Sequence, residues 1–133
     1  MFRPATLRAT DKLFRSRPWA GTPDEKNLKF RRWLIRASSA YGMEVPEFAV
    51  VPPVECYLWG CYDTVGRTIF LPRHSVVTLL HEFRHHMQNV HLRPRPWGYM
   101  GAEHDARAWS QSLFYQVRPE LFTKARDEGR ILH

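Results

Sequence analysis

The chain has 133 residues, of which 44% are hydrophobic and 14% aromatic, with a formal net charge of +7 and a pI near 9.9. That length supports one compact domain with a modest core, and that apolar content excludes an intrinsically disordered chain. No apolar run approaches the roughly 18 residues that span a bilayer, so no membrane partner is expected. Cys56 and Cys61 are too few for a disulfide framework and lack CxxC spacing, which fits a reduced, cytoplasmic setting.

From Met1 to Arg17 the chain is Arg-rich and acid-poor. It lacks the apolar core of a secretory signal, so residues 1–20 read as a frayed basic arm ahead of a single domain over residues 21–133. A loose likeness to an organellar transit peptide is the alternative. The arginines recur at Arg31, Arg32, Arg93, Arg95, Arg107, Arg118 and Arg126, in different segments. Charge of this sign attracts nucleic acid, but such dispersal and the lack of a sequence-reading motif support it only weakly.

Thr22-Pro23-Asp24-Glu25 is a helix start: a capping hydroxyl, proline at the first helical position, and carboxylates at the positive dipole end. Leu28, Trp33, Leu34, Ala37 and Tyr41 continue that helix until Gly42 stops it, and it is expected to cross the sheet. Phe48 to Val51 reads as a strand. Glu55 to Tyr62 and Arg67 to Leu71, joined by Asp63-Thr64-Val65-Gly66, read as a β-hairpin.

Ser75 caps the next helix, which Val76, Val77, Leu79, Leu80, Phe83 and Met87 make apolar enough to run through the core. Leu92 to Gly101 is a proline- and glycine-rich loop. Another long helix begins near Ala102, carries Ala106, Trp109, Leu113 and Phe114, and stops at Pro119. A short helix over Glu120 to Glu128 ends the chain. The fold class is α+β: a short, mostly antiparallel sheet packed on a central helix and two to three further helices.

That central helix carries His81-Glu82-Phe83-Arg84-His85, an HExxH motif. Histidines four apart lie about 40° apart around a helix axis, so both imidazoles can grip one metal ion. Glu82 between them is placed to take a proton from water at that ion, which makes it the candidate catalytic base. A catalytic zinc has three protein ligands and an open position. Glu103, on the helix beyond the proline-rich loop, is the favoured third ligand. His91 is the alternative, at the spacing of the longer HExxHxxGxxH motif, but Gln88 stands where that motif has glycine. Tyr57, Tyr99, His104 and Arg107 are candidates to stabilise an oxyanion or to support the ligands. His86 faces away from His85 and reads as a supporting or surface residue.

With these residues the chain resembles the gluzincin-type zinc metallopeptidases, most nearly the small ImmA/IrrE-like family, over about residues 48–117. Glu103, Ala106, Trp109 and Ser110 loosely match that family's ExxAxxFA helix. The resemblance implies a zincin-like domain with one Zn2+ held by His81, His85 and Glu103, and Glu82 as general base. It further implies hydrolysis of a protein or peptide substrate, with regulatory proteins among the candidates, laid along the sheet edge at Cys56 to Leu71. Arg107 departs from the family pattern, which has Asn or Asp there. A non-catalytic zinc-containing regulatory or nucleic-acid-associated module is the competing reading.

Overall fold

The computed structural model describes residues 2–52, 59–92 and 98–131. Among them the chain forms helices α1 (Pro4–Arg15), α2 (Pro23–Ala40), α3 (Val76–Val90), α4 (Tyr99–Val117) and α5 (Pro119–Asp127), with strands β1 (Glu47–Val50), β2 (Cys61–Asp63) and β3 (Thr68–Leu71). The α+β expectation holds at that level. The expected strand residues Glu55 to Leu58, with Cys56, and the arginines at 93 and 95 lie outside the described residues.

The basic arm is corrected. Residues 4–15 are helical, with Pro4 in the first turn and Thr6, Ala9, Thr10, Leu13 and Phe14 turned inward. Thr10 explains how a partly polar face is buried: its hydroxyl donates to the Thr6 carbonyl at 2.8 Å and accepts from the Trp33 indole N–H at 3.0 Å. A buried hydroxyl costs free energy only when it lacks partners, and this one has two. Phe14 stacks on Phe114 of α4 with ring centroids 5.2 Å apart, and Arg118 bonds Asp11 at 2.7 Å.

Helix α2 starts as its sequence dictates. Thr22 and Glu25 form a reciprocal capping box, the Glu25 N–H donating to Thr22 Oγ1 at 3.2 Å and the Thr22 N–H to Glu25 Oε1 at 2.8 Å. Gly42 follows the helix at φ +63°, the left-handed conformation that glycine adopts without steric cost. The helix meets the sheet through Phe30 on Phe48 and meets α3 through Trp33 on Phe83.

The sheet is mixed rather than mostly antiparallel. Its order is β1-β3-β2, with β1 parallel to β3 and β2 antiparallel to β3. The hairpin fixes the second pairing locally. In the first, β1 ends beside Leu71, the same end of β3 at which β2 begins beside Phe70. Ile69 and Leu71 point into the core against α3, whose Leu79, Leu80, Phe83 and Met87 are almost fully buried. Helix α3 therefore lies between the sheet on one side and α4 on the other.

Candidate metal centre

Ser75 sets the start of α3, its hydroxyl accepting the Thr78 N–H at 3.3 Å. From that start, His81 and His85 emerge on one face with ring centroids 4.9 Å apart. Helix α4 begins at Tyr99, three residues before its expected start, so Glu103 sits in the second turn rather than the first. Ala106, one turn further on, is fully buried and lets α4 approach α3 closely.

Glu103 reaches both histidines. Its Oε1 lies 2.7 Å from His85 Nε2 and its Oε2 lies 3.2 Å from His81 Nε2. The three residues place their ligand atoms within 4.8 Å of one another and are close enough to hold a metal ion. Among the described residues no fourth His, Cys, Asp or Glu joins them. His91 does not: it caps the C-terminus of α3, and its exposed ring meets Tyr41 with centroids 6.0 Å apart.

A hydrogen-bond chain determines what His85 offers this group. The Gln88 side-chain N–H2 donates to the Ala102 carbonyl and to Asp105 Oδ2, both at 2.9 Å. Both amide hydrogens are thus committed to acceptors, which leaves Gln88 Oε1 facing His85 Nδ1 at 2.8 Å. An oxygen there requires the His85 proton on Nδ1, and the neutral ring then carries its lone pair on Nε2, toward Glu103. Two electron-rich atoms 2.7 Å apart need a cation, either a second proton on the ring or a metal ion. His81 resists the proton: burial, then neighbouring His85, holds it down to about 4 despite the Glu103 carboxylate. The donor chemistry fits a metal ion.

Arg84 completes the chain. Its Nε and Nη2 donate to the two Asp105 oxygens at 2.7 and 3.2 Å, while its guanidinium lies 5.5 Å from the Trp109 ring centroid. The sequence alone did not mark Gln88, Asp105 and Arg84 as supporting residues. The available signal was spacing at Gln88 alone, which follows His85 by three; Asp105, two after Glu103, is brought in only by the contact of α4 with Arg84 and Gln88 of α3.

Glu82 is buried beside the group, and burial followed by the charge of Glu103 pushes it up to about 8. The chain at Gly60 presses on it. A Cβ there would lie 3.1 Å from Glu82 Cγ and 2.6 Å from Thr78 Cγ2, so only glycine permits this approach of the β2 edge to α3.

The supporting candidates separate. Tyr99 is 78% exposed and His104 is exposed, so neither is held against the ligands. Arg107 is partly buried, its charge helps to depress His81, and its Nε has no hydrogen-bond partner among the described residues. Tyr57 lies outside the described residues. His86 is fully buried, not at the surface: its Nε2–H donates to the Glu44 carbonyl at 2.9 Å, and its Nδ1 accepts the Tyr62 hydroxyl at 2.7 Å.

The broad concavity between α4 and α5, lined by Gln111, Ser112, Tyr115 and Phe122, contains no His, Cys, Asp or Glu and lies away from Glu103. No family model matches the chain, and no curated protein or solved structure is significantly similar to it. No helix among the described residues is long and apolar enough to cross a membrane.

Proposed function

We propose that this chain is a zinc-dependent metallopeptidase of zincin-like architecture, acting on a protein or peptide substrate. The observation that carries the proposal is the convergence of His81, His85 and Glu103 from two helices, with Glu82 beside them. Two imidazole nitrogens and one carboxylate form the ligand set of many catalytic zinc sites, in which a further position stays open. A zinc ion so held supplies a Lewis acid that polarises a carbonyl and lowers the pKa of water.

The protein's own groups then have distinct tasks. His85, fixed in its Nδ1–H form by Gln88, presents Nε2 as a ligand without rearrangement. A cation in the group would oppose the charge of Glu103 and let Glu82 ionise, so that its carboxylate could accept the proton of the attacking water and pass it to the departing amine. Arg107, whose positive charge is felt at His81, is the candidate to stabilise an oxygen that gains charge as the carbonyl is attacked. Gly60 leads directly into β2, an edge strand among the described residues, so an extended peptide added to that edge would pass Glu82. The sheet edge, the two-helix ligand set and the base between the histidines are the grounds for the ImmA/IrrE-like assignment.

Elemental analysis of carefully purified protein tests the reading first, with about one zinc per chain expected. Glu82→Gln should keep the zinc and lower cleavage of a labelled unfolded casein by at least about a hundredfold. Metal-free wild-type protein that also takes up no added zinc would sink the proposal.

A further inference from the structure

The net charge of +7 is not spread over the molecule. Residues 1–40 hold ten Lys and Arg against three Asp and Glu, whereas residues 41–133 hold ten of each. The α1–α2 hairpin therefore accounts for the whole imbalance, and the portion carrying the metal centre is neutral. The dispersal expected from the arginine positions overlooked their acids. Outside the hairpin, arginines such as Arg67, Arg84, Arg126 and Arg130 are paired with carboxylates.

The hairpin's cations lie on its exposed faces. The two helices run antiparallel, as shown by the bonds from Arg3 to the Ala40 carbonyl, Trp33 to Thr10, and Lys29 to the Ser16 carbonyl. Each buries one face and turns the opposite one outward. On α1 the outer face carries Arg8, Lys12 and Arg15, and on α2 it carries Arg31, Arg32 and Arg36. Arg8, Lys12, Arg32 and Arg36 make no ion pair with any described residue, and no acidic residue occurs between Lys26 and Met43. The two helices that carry these exposed cations pack against each other, so the hairpin bears a concentrated positive charge that attracts a polyanion.

We propose that the outer face of the α1–α2 hairpin is a docking surface for the phosphate backbone of double-stranded DNA, bound without reading its sequence. Helices of 12 and 18 residues present faces about 18 and 27 Å long. A duplex carries about one charge per 1.7 Å of axis, so over such a length it offers more phosphates than these cations can neutralise, and neutralising phosphates releases counterions. Planar guanidinium groups, carried by five of the six residues (Arg8, Arg15, Arg31, Arg32 and Arg36), suit phosphate oxygens. Single-strand binding requires a row of aromatic platforms, and the hairpin offers only Trp19, at its loop and 46% exposed. The proposal does not rest on the metal centre.

The test is titration of a fluorescent duplex of about 20 base pairs with the full chain at about 50 and 200 mM salt, where neutralising six phosphates predicts affinities differing about a thousandfold. Replacing Arg8, Lys12, Arg32 and Arg36 with Gln should weaken binding at least about tenfold and reduce the salt slope by about 0.9 for each phosphate no longer neutralised. Arg73→Gln with Arg126→Gln, which removes the same kind of charge elsewhere, should change affinity less than about twofold. Circular dichroism checks the fold of each variant, and Arg32→Gln with Arg36→Gln serves if the fourfold variant unfolds. Absence of binding at the lower salt, or equal weakening in the hairpin and control variants, would overturn the proposal. So would tighter binding to duplex RNA, single-stranded DNA, phosphatidylserine vesicles or polyglutamate at the same ionic strength.

Discussion

His85 and His86 are neighbours in sequence on one helix and differ in what their surroundings leave undone. His86 points to the hairpin, where the Tyr62 hydroxyl donates to its Nδ1, Asn89 Nδ2 donates back to the Tyr62 oxygen at 3.1 Å, and the Glu44 carbonyl accepts its Nε2–H. Every donor meets an acceptor, and burial holds this imidazole neutral, at about 4. His85 points to α4, where Gln88 satisfies Nδ1 but a carboxylate faces the Nε2 lone pair. One ring closes its hydrogen-bond circuit. The other closes only with a cation, and this difference marks His85, rather than His86, as the ring able to help hold a metal ion.

The largest expected effect breaks the comparison on the His85 side. His85→Ala or Glu103→Ala should abolish stoichiometric zinc binding, while a His86→Asn variant should keep its zinc and lose stability, read by metal analysis and denaturant unfolding respectively. Next, Gln88→Leu leaves the ligands in place but frees the His85 ring, and should weaken zinc about 10- to 100-fold in a chelator competition. Unchanged affinity would show that Gln88 does not orient the ring. Tyr62→Phe removes the hydroxyl from the closed circuit and strands His86 Nδ1, with an expected loss of about 1–3 kcal/mol in unfolding free energy and no change in zinc.

The smallest effect uses a third histidine remote from both. Burial, then nearby Lys26, holds His74 below the usual imidazole value, and it bonds Asn27 at 2.6 Å. The unfolded chain therefore takes up a proton before the folded one does. Its contribution is fully present above about pH 6.5 and is lost as pH falls below that value. Thermal unfolding of His74→Gln should depend less steeply on pH in that acid window than the wild type.

The two histidines also mark how far the sequence could be read. Position around a helix depends only on spacing, so His81, His85 and the helix bearing Glu103 were legible, as was the Thr22–Glu25 capping box. In the sequence Gln88 stands out only as a residue that is not glycine, because its role depends on where α4 runs. His86 was placed in a supporting or surface role because nothing local reveals that Tyr62 closes over it. Helix α1 escaped because its inward stripe mixes Thr6, Ala9 and Thr10 with two large apolar residues, too weak a pattern to stand out among arginines. The parallel pairing of β1 with β3 was not legible because strand direction is set by the path of the connecting chain.

The ligand set spans two helices, with His81 and His85 from α3 and Glu103 from α4. An ion held there is a removable cross-link in a small domain, joining segments that the proline-rich stretch separates along the chain. Any ligand that binds only the folded state adds stability in proportion to the logarithm of its saturation, about 4 kcal/mol at a thousandfold excess over Kd. Zinc supply would then govern the lifetime of the protein as well as its chemistry, since chains denied the ion would open more often along the α3–α4 seam and meet cellular proteases sooner.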